Sequence, residues 1–287
     1  MKLFQQTRAN REAQAHTTPT PTIRPHARQW AYLLLAGLAL PGAASWAQTK
    51  HTAEDSAAKS GGYVGLGVSA APRYQGADES KTKAVPGFEY RWANGLFVGG
   101  SDGLVGVQFD ATPQLQLGLA LGVDEGRKAS VSRYLTGMGD VDARGTLNLY
   151  AKAAVTDQLS LSAGLKLGAG SSGKGGLLNL GASYGVSLAH DIRMSFNVGA
   201  TLASASYMQD YFGVSAAQAS ASGYKRYTPG SGRRDVTVGL GLQQQISREW
   251  MLITSLNSTT LSNSAKDSPL VRKATSQSAY VAVAYSF

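Results

Sequence analysis

Apolar and polar residues alternate over unusually long stretches of this chain. In residues 159–167 and 192–202 every second residue is apolar, and residues between them are small or polar. Residues 115–123 and 236–242 repeat the pattern. A period of two indicates β-strands with one apolar face. Strands of 10 residues or more exceed the usual ~5–6 of soluble sheets and match the ~9–11 needed to cross a bilayer at a tilt.

The residue types on the polar face of these strands distinguish a membrane barrel from a soluble sandwich. It carries mostly Gly, Ser, Gln and Asn, whereas a sheet face exposed to water is usually rich in Lys and Glu. Only 16% of the chain is charged. In a membrane barrel the apolar face contacts lipid and the small or polar face lines the lumen. The sequence therefore predicts an all-β fold consisting of a single antiparallel transmembrane β-barrel.

Twelve strands are predicted, near residues 62–71, 83–92, 95–101, 104–110, 115–124, 140–154, 158–169, 175–188, 191–203, 233–246, 249–261 and 277–287. The third and fourth are short, so ten strands remain the alternative. Tight turns at 92–95, 110–113, 156–157, 190–191 and 248–249 alternate with connections that are mostly longer. Short periplasmic turns and longer extracellular loops are typical of outer-membrane barrels.

The N-terminal segment has the features of an export signal. Arg24 and Arg28 precede an apolar stretch over residues 30–40, and small residues follow a Pro-Gly breaker. This pattern predicts a signal peptide over residues 1–47, with a long N-terminal region, cleaved between Ala47 and Gln48. A retained membrane anchor is the alternative. Residues 48–60 are interpreted as a flexible leader, and residues 61–287 as the barrel.

The final segment is predicted to close the barrel with the first strand, because an unpaired strand edge in lipid leaves backbone groups without partners. Its outward face is expected to carry Val281, Val283, Tyr285 and Phe287.

Several stretches resemble the MipA/OmpV family of MltA-interacting proteins. They are "GLGVSAAPRYQGADES", "PGFEYRWANGLFVGGSDGLVGVQF", the segment from Tyr207 to Gly241, and the last 27 residues with "KDSPLV". The resemblance implies an outer-membrane barrel that scaffolds envelope proteins, with a lytic murein transglycosylase and a penicillin-binding protein as partners. It also implies that the terminal strand is the signal read by the barrel-assembly machinery. The family offers no catalytic residues.

Chemistry-bearing residues are sparse. No Ser-His-Asp or His-metal spacing emerges, His190 is expected in a turn, and no basic run suggests nucleic-acid binding. No enzyme activity, cofactor or metal is predicted. Asp124, Glu125, Asp140 and Asp142 are interpreted as rim charges, with a cation site as the weaker alternative.

The loop over residues 204–233 is the most unusual non-strand segment. One interpretation is a folded loop that plugs the lumen or contacts glycan or lipopolysaccharide phosphates. The other places its aromatics in the interfacial girdle and its cations on a solvated rim. The candidate loop and lumen residues are Tyr207, Asp210, Tyr211, Phe212, Tyr224, Tyr227, Arg233, Arg234, Lys266, Asp267, Ser268 and Pro269.

Two other function classes remain beside the scaffold. A small lumen lined by Gly, Ser and Gln suits a narrow channel for small solutes. A soluble periplasmic binding protein would need no detergent once released.

Overall fold

The computed structural model describes residues 60–168 and 175–287. The predicted signal peptide, its cleavage site at Ala47 and Gln48, and the leader up to residue 59 lie outside these ranges. Twelve strands lie within them, and each is antiparallel to both neighbours. The strands are β1 Gly61–Pro72, β2 Ser80–Arg91, β3 Leu96–Gly99, β4 Val105–Thr112, β5 Leu115–Asp124, β6 Arg144–Ala154, β7 Leu159–Gly168, β8 Gly176–Ser187, β9 Ile192–Ala203, β10 Gly232–Gln245, β11 Trp250–Leu261 and β12 Thr275–Ser286.

The strands form one closed barrel in chain order, with β12 returning to β1. Closure extends over eight residue pairs, from Tyr63 opposite Ser286 to Ala70 opposite Ala279. The prediction of twelve strands is confirmed. β3 and β4 are the shortest, with four and eight residues. β6 begins at Arg144 and not near 140, because Val141 instead forms an isolated bridge with Arg127 inside the preceding loop.

The alternating apolar residues point away from the lumen. Phe196 and Val198 on β9 are about half exposed, whereas Ser195 and Thr201 on the opposite face are buried. The same division holds on β1, where Leu66 is 64% exposed and Ser69 is 1% exposed. This is the inverse of a soluble protein, whose large apolar side chains lie inside. The predicted apolar outer face is confirmed.

One end of the barrel carries the short turns, which we call the turn end. Several aromatic side chains meet there on the outer surface. The Trp250 and Tyr285 rings lie 5.1 Å apart, and the Tyr90 ring lies 4.9 Å from Trp92 and 6.3 Å from Phe287. Aromatic belts of this kind mark the interface between hydrocarbon and water in membrane barrels.

The opposite end, the loop end, carries longer connections. We name them L1 (73–79), L2 (100–104), L3 (125–143), L4 (169–175), L5 (204–231) and L6 (262–274); residues 169–174 lie outside the description. L5 contains helices α1 Ala205–Phe212 and α2 Ala216–Ser222, and L6 contains α3 Asn263–Lys266. L3 contains two short 3₁₀ turns, Ala129–Val131 and Arg133–Leu135. No helix in the described part of the chain is long and apolar enough to cross a membrane.

Candidate functional site: the folded loop cap

Helix α1 begins directly after β9 and is fixed at both ends. The Ser204 hydroxyl caps it by accepting a hydrogen bond from the Tyr207 amide at 3.3 Å, and it also accepts one from the Gly176 amide of β8. The helix ends at Gly213. Its buried side chains are Tyr207, Met208, Tyr211 and Phe212. The last three follow Tyr207 by one, four and five positions, so all four lie on one face of the helix. The helix therefore turns an apolar aromatic face toward the protein.

Tyr207 joins α1 to the inner wall of β10. Its hydroxyl accepts hydrogen bonds from Arg234 Nη1 at 3.0 Å and from Gln75 Nε2 of L1 at 3.3 Å. Arg234 also pairs with Asp235, and both side chains are 6% exposed. An ion pair buried this deeply is costly unless its remaining hydrogen-bonding groups are satisfied. The Tyr207 hydroxyl satisfies one of them.

Tyr211 joins the same helix to β5 and β6. Its hydroxyl donates to Asp124 Oδ1 at 2.7 Å, and the Arg144 guanidinium binds Asp124 Oδ2 at 3.3 Å and Asp210 Oδ2 at 3.1 Å. The Tyr211 carbonyl accepts a hydrogen bond from Arg127 of L3 at 2.6 Å. Helix α1 is thus attached to the barrel rim and to a second loop by charge-assisted contacts, which are the stronger kind of hydrogen bond.

Helix α1 packs in a first apolar cluster with L6 and the ends of β9 and β11. Its buried members are Ala203, Tyr207, Met208, Tyr211, Phe212, Leu261 and Ala265.

A second apolar cluster joins four loops. Its buried members are Tyr74 and Ala77 of L1, Leu135 and Met138 of L3, Val214 of L5 and Leu270 of L6. The Tyr74 hydroxyl donates to the Leu270 carbonyl at 3.0 Å, and the Ser268 hydroxyl donates to the Phe212 carbonyl at 2.6 Å. We call the packed unit of L1, L3, L5 and L6 the loop cap. Its buried apolar contacts make it a folded structure, unlike solvated loops of similar length.

Burial also affects the acidity of the cap tyrosines. It raises the pKa of Tyr74 to about 12. It raises the pKa values of Tyr207 and Tyr211 as well, with the neighbouring Asp124 carboxylate adding to the effect at Tyr211. Neutral hydroxyls are therefore favoured in the cap, where they act as hydrogen-bond donors and acceptors.

The other predicted loop residues are divided between the interior and the surface of the cap. Tyr224 and Tyr227 are half-buried, and their hydroxyls donate to the carbonyls of Tyr134 and Ser264. Ser268 is buried and Pro269 half-buried, whereas Lys266 and Asp267 are exposed. Arg233 is exposed and pairs with Leu202 of β9, whose side chain faces outward. Arg234 and Asp235 are both buried, because the pairing of β10 with β9 shifts by one residue between Arg233 and Asp235.

Sequence analysis did not identify several residues on which the cap depends. Tyr74 lies in the first stretch that resembles the family but has no role attached to it there, and Arg127 and Arg144 carry no motif. Each becomes informative only when L1, L3 and β6 are brought together. The sequence suggests for Asp124 only a rim charge or part of a cation site, whereas in the structure its carboxylate accepts hydrogen bonds from Tyr211 and Arg144. Asp140 pairs with Lys128 at 2.9 Å. In the described ranges no three His, Cys, Asp or Glu side chains are grouped as for a metal ion.

The terminal strand is built into the closure of the barrel up to the last residue. The Phe287 amide donates to the Gly62 carbonyl at 3.0 Å, and the Gly62 amide donates to the Phe287 carbonyl at 2.9 Å. Phe287 is 57% exposed on the outer surface. Val281 and Val283 are also exposed there, but less than Phe287. His190 lies exposed in the turn between β8 and β9.

Several solved structures are similar to this chain. They include the KdgM porin, with 12% identity over 78% of this chain and 99% of that one at a TM-score of 0.43. They also include OprB of Pseudomonas putida, with 9% identity over 82% and 95% at 0.43. The COG4313 outer membrane channel from Pseudomonas putida F1 has 12% identity over 84% and 100% at 0.40. Identities this low concern the fold alone.

Sequence comparison is more specific. No curated protein matches the chain significantly. The family model described as "MltA-interacting protein MipA" matches residues 64–287, which include the barrel and the loop cap. This chain therefore belongs to the MipA family of MltA-interacting proteins.

Proposed function

We propose that this protein is a non-conducting, non-enzymatic outer-membrane barrel that anchors cell-envelope proteins. The observation that carries the proposal is the loop cap, in which four loops pack into two buried apolar clusters at the loop end of the barrel. A barrel that serves diffusion needs an open mouth, whereas an anchor does not. The exposed apolar outer face and the predicted signal peptide support an outer-membrane location.

The family description suggests the partner class. It names MltA, so a lytic murein transglycosylase is the first expected partner, and the family resemblance adds a penicillin-binding protein. Murein enzymes act in the periplasm, which by the barrel pattern is the side of the turn end. The partner surface is therefore proposed to be the turn end, where Trp92, Asn94, Asp157, His190 and Arg248 are exposed.

The loop end would then face the exterior. Its exposed cations, Lys225, Arg226 and Arg233, are suited to the phosphates of lipopolysaccharide. The outer strands contact membrane lipid, and the barrel-assembly machinery inserts the protein by reading its terminal strand.

Planar-bilayer recording tests the absence of conduction. The purified wild-type protein should give no steady single-channel steps. A variant in which residues 205–231 are replaced by a short Gly-Ser linker should give steps, because it lacks α1 and its contacts to the rim. Steady steps from the wild type would contradict the proposal. Steps from the linker variant serve as the positive control, because they show that the purified protein inserts into the bilayer.

A narrow channel is the second candidate, and the chemistry of the lumen favours it. Lys152 pairs with Asp102 at 2.7 Å, and Arg91 pairs with Glu89 at 2.7 Å, on inward-facing positions. Among the described residues, inward polar atoms such as Asn197 Oδ1 and Ser255 Oγ have no protein hydrogen-bond partner. Atoms of this kind are usually satisfied by water, as in a hydrated lumen.

The partner can be identified by cross-linking in intact cells. A photoreactive side chain at Asn94 on the turn end should capture a murein-synthesis or murein-cleaving enzyme. The same group at Lys225 on the loop end provides the matched control. Capture from position 225 and not from 94 would contradict the proposed partner surface.

A further inference from the structure

The lumen of the barrel is filled on one side and open on the other. On the side of β3–β6 large rings occupy it, since Phe97 is buried and a methyl group added at Gly118 would overlap the Tyr150 ring. On the side of β7–β9 the inward residues are small. A methyl group added at Gly164 would meet only one backbone oxygen at 4.0 Å, and one added at Gly199 only one at 3.4 Å. Open space therefore remains along β7–β9, and we call it the lumen cleft.

The strands that line the lumen cleft carry two cations and no acid. β7, β8 and β9 contain no Asp or Glu, and their charged residues are Lys166 and Arg193. Lys166 lies between the outward Leu165 and Leu167, and Arg193 shares the face of the buried Ser195, so both cations face the lumen. This side of the lumen is therefore positively charged.

The two cations lie at opposite ends of the cleft. Lys166 is opposite Leu177 of β8, near the loop end, whereas Arg193 is opposite Ser187 of the same strand, near the turn end. The two positions on β8 are separated by roughly 33 Å at ~3.3 Å per residue. Each cation therefore acts alone on a small ligand.

Lys166 has no bonded counter-ion. It is half-buried, and its ammonium group forms no hydrogen bond or ion pair with any residue of the described chain. The nitrogen is not enclosed, so it reaches lumen space that solvent enters. Its charged neighbours are Asp124, which attracts it, and Arg234, which repels it. Asp124 already accepts hydrogen bonds from Tyr211 and Arg144, so the charge of Lys166 is left to a ligand or to solvent.

Neutral hydrogen-bonding groups lie beside this ammonium group. Asn179 of β8 is the diagonal neighbour of Lys166, at roughly 7–8 Å between the two residues. Its Oδ1 accepts from the Thr201 hydroxyl at 3.1 Å, which leaves the Nδ2 group as a donor toward the cleft. Ser162 and Ser183 add hydroxyl groups on the same face, farther toward the turn end. The cleft thus combines one cationic donor with amide and hydroxyl groups.

Helix α1 closes the lumen cleft above Lys166. Leu177, directly opposite Lys166, packs against the apolar cluster that contains α1, and a methyl group added at Gly175 would touch the Tyr207 Cβ at 3.2 Å. At the other end the strands are joined by short turns, and both apolar clusters of the described residues lie in the cap. The cleft therefore ends beneath the cap and opens at the turn end.

The geometry points to the lumen cleft as a binding pocket for a small hydroxylated monoanion, such as a sugar acid, that enters from the turn end. Its carboxylate is bound by the Lys166 ammonium and the Asn179 amide, and its hydroxyls by the serines of β7 and β8. One ammonium without a counter-ion matches one negative charge, and Arg193 makes the mouth of the cleft attractive to anions. The inference goes beyond the anchoring function and uses only the closed loop end, since binding a solute requires no conduction.

Cysteine accessibility tests the pocket, because the natural chain contains no Cys. Gly164→Cys places a thiol in open space two residues from Lys166 on the same face. Ser278→Cys places one on the lumen face of β12, a strand without charged residues. The reagents are the anionic sulfonatoethyl and the cationic trimethylammonioethyl methanethiosulfonates, added to the full-length mature protein in detergent micelles.

The ratio of the anionic to the cationic reaction rate should be about fivefold higher at position 164 than at 278. Lys166→Gln should remove this difference and Lys166→Arg should retain it, whereas Lys225→Gln in the cap should leave it unchanged. Equal ratios at the two positions, or a preference that survives Lys166→Gln, would overturn the anion site. A thiol at 164 that does not react would overturn the open cleft. If the Gly164 variant does not fold, Gly199→Cys replaces it with the same expectation.

Glucuronate, glucose and sodium chloride at matched ionic strength test the ligand class. Glucuronate at about four times its dissociation constant should slow the anionic reaction at position 164 about fivefold, because the free fraction of the pocket falls to about a fifth. Glucose and chloride should not slow it. Equal protection by glucose would show that charge is not recognised, and equal protection by chloride would show a counter-ion site only; either result would overturn the inference.

Bilayer recording separates this inference from the proposed function. Silent recordings together with no protection by glucuronate would reject the pocket and leave the anchoring function standing. Steady steps from the wild type together with protection by glucuronate would reject the closed loop end and support the anion site.

Discussion

The Tyr211 hydroxyl donates a hydrogen bond to the Asp124 carboxylate at 2.7 Å, although 87 positions separate them in the chain. This contact fixes helix α1 of L5 to the end of β5. Asp124 also accepts from Arg144, whose side chain is 8% exposed. One carboxylate therefore holds both the wall of the barrel and the loop packed at its mouth.

Asp124→Ala should loosen the cap. It removes the acceptor for Tyr211 and leaves the buried Arg144 with Asp210 alone, so the cost is expected to be about 1–3 kcal/mol of cap-opening free energy. Native-state proteolysis within L5 measures this quantity. Asp142→Ala, on an exposed residue of L3, is the control and should change the cleavage rate little. Unchanged cleavage in Asp124→Ala would show that the apolar clusters alone hold the cap.

The cap should also loosen at high pH. Burial raises the pKa of Tyr74 to about 12, above its usual value of ~10. Because the folded state holds this proton more tightly than the unfolded state, the stabilisation is fully present below pH ~10. It is lost as the pH rises from ~10 toward ~12. Proteolysis of the cap over this range measures the effect, and Tyr74→Phe should reduce it.

Phe196→Arg tests the outer face of β9. Phe196 is 47% exposed at a position near the middle of the strand, and a charge facing lipid at the bilayer midplane costs about 2–4 kcal/mol. Unfolding by urea in lipid vesicles measures it. Asn197→Arg is the matched control, since Asn197 lies next in sequence but on the lumen face. Equal stability of the two variants would show that the outer face of β9 does not meet hydrocarbon.

Deletion of Phe287 should lower the amount of protein in the outer membrane. The residue contributes two backbone hydrogen bonds to the closure with Gly62, and its outward ring lies near Tyr90. Without it, the β1–β12 seam is shorter and the proposed assembly signal is lost. Immunoblots of outer-membrane and periplasmic fractions measure the outcome. Phe287→Tyr, which keeps an aromatic ring, should restore normal levels; normal levels after the deletion itself would reject the role.

The barrel could be predicted from the sequence because lipid enforces a period of two on every strand. Residues 159–167 and 192–202 indicate both a strand and its outward face without any knowledge of their neighbours. The bounds differ by a few residues where loops form their own pairings, as at Val141. The spacing of Tyr207, Tyr211 and Phe212 is that of one helix face, but the sequence analysis predicts only a loop there, either folded or solvated, and no helix.

The loop cap could not be predicted in the same way. Its contacts join L1, L3, L5 and L6, which lie far apart in sequence and share no repeating pattern. Tyr74 and Leu270, for example, are 196 positions apart. The unpaired edge of β2 likewise depends on the register of β2 against β3. The sequence showed that β3 was short, but not which part of β2 it leaves unpaired.

Contact between the outer face of the barrel and lipid is the central claim about this protein. Sedimentation velocity of the purified mature protein, combined with circular dichroism, tests this contact with and without a detergent above its critical micelle concentration. We expect a folded, monodisperse particle carrying bound detergent in micelles, and aggregation when the detergent is removed. A folded, monodisperse protein in plain buffer would contradict the account.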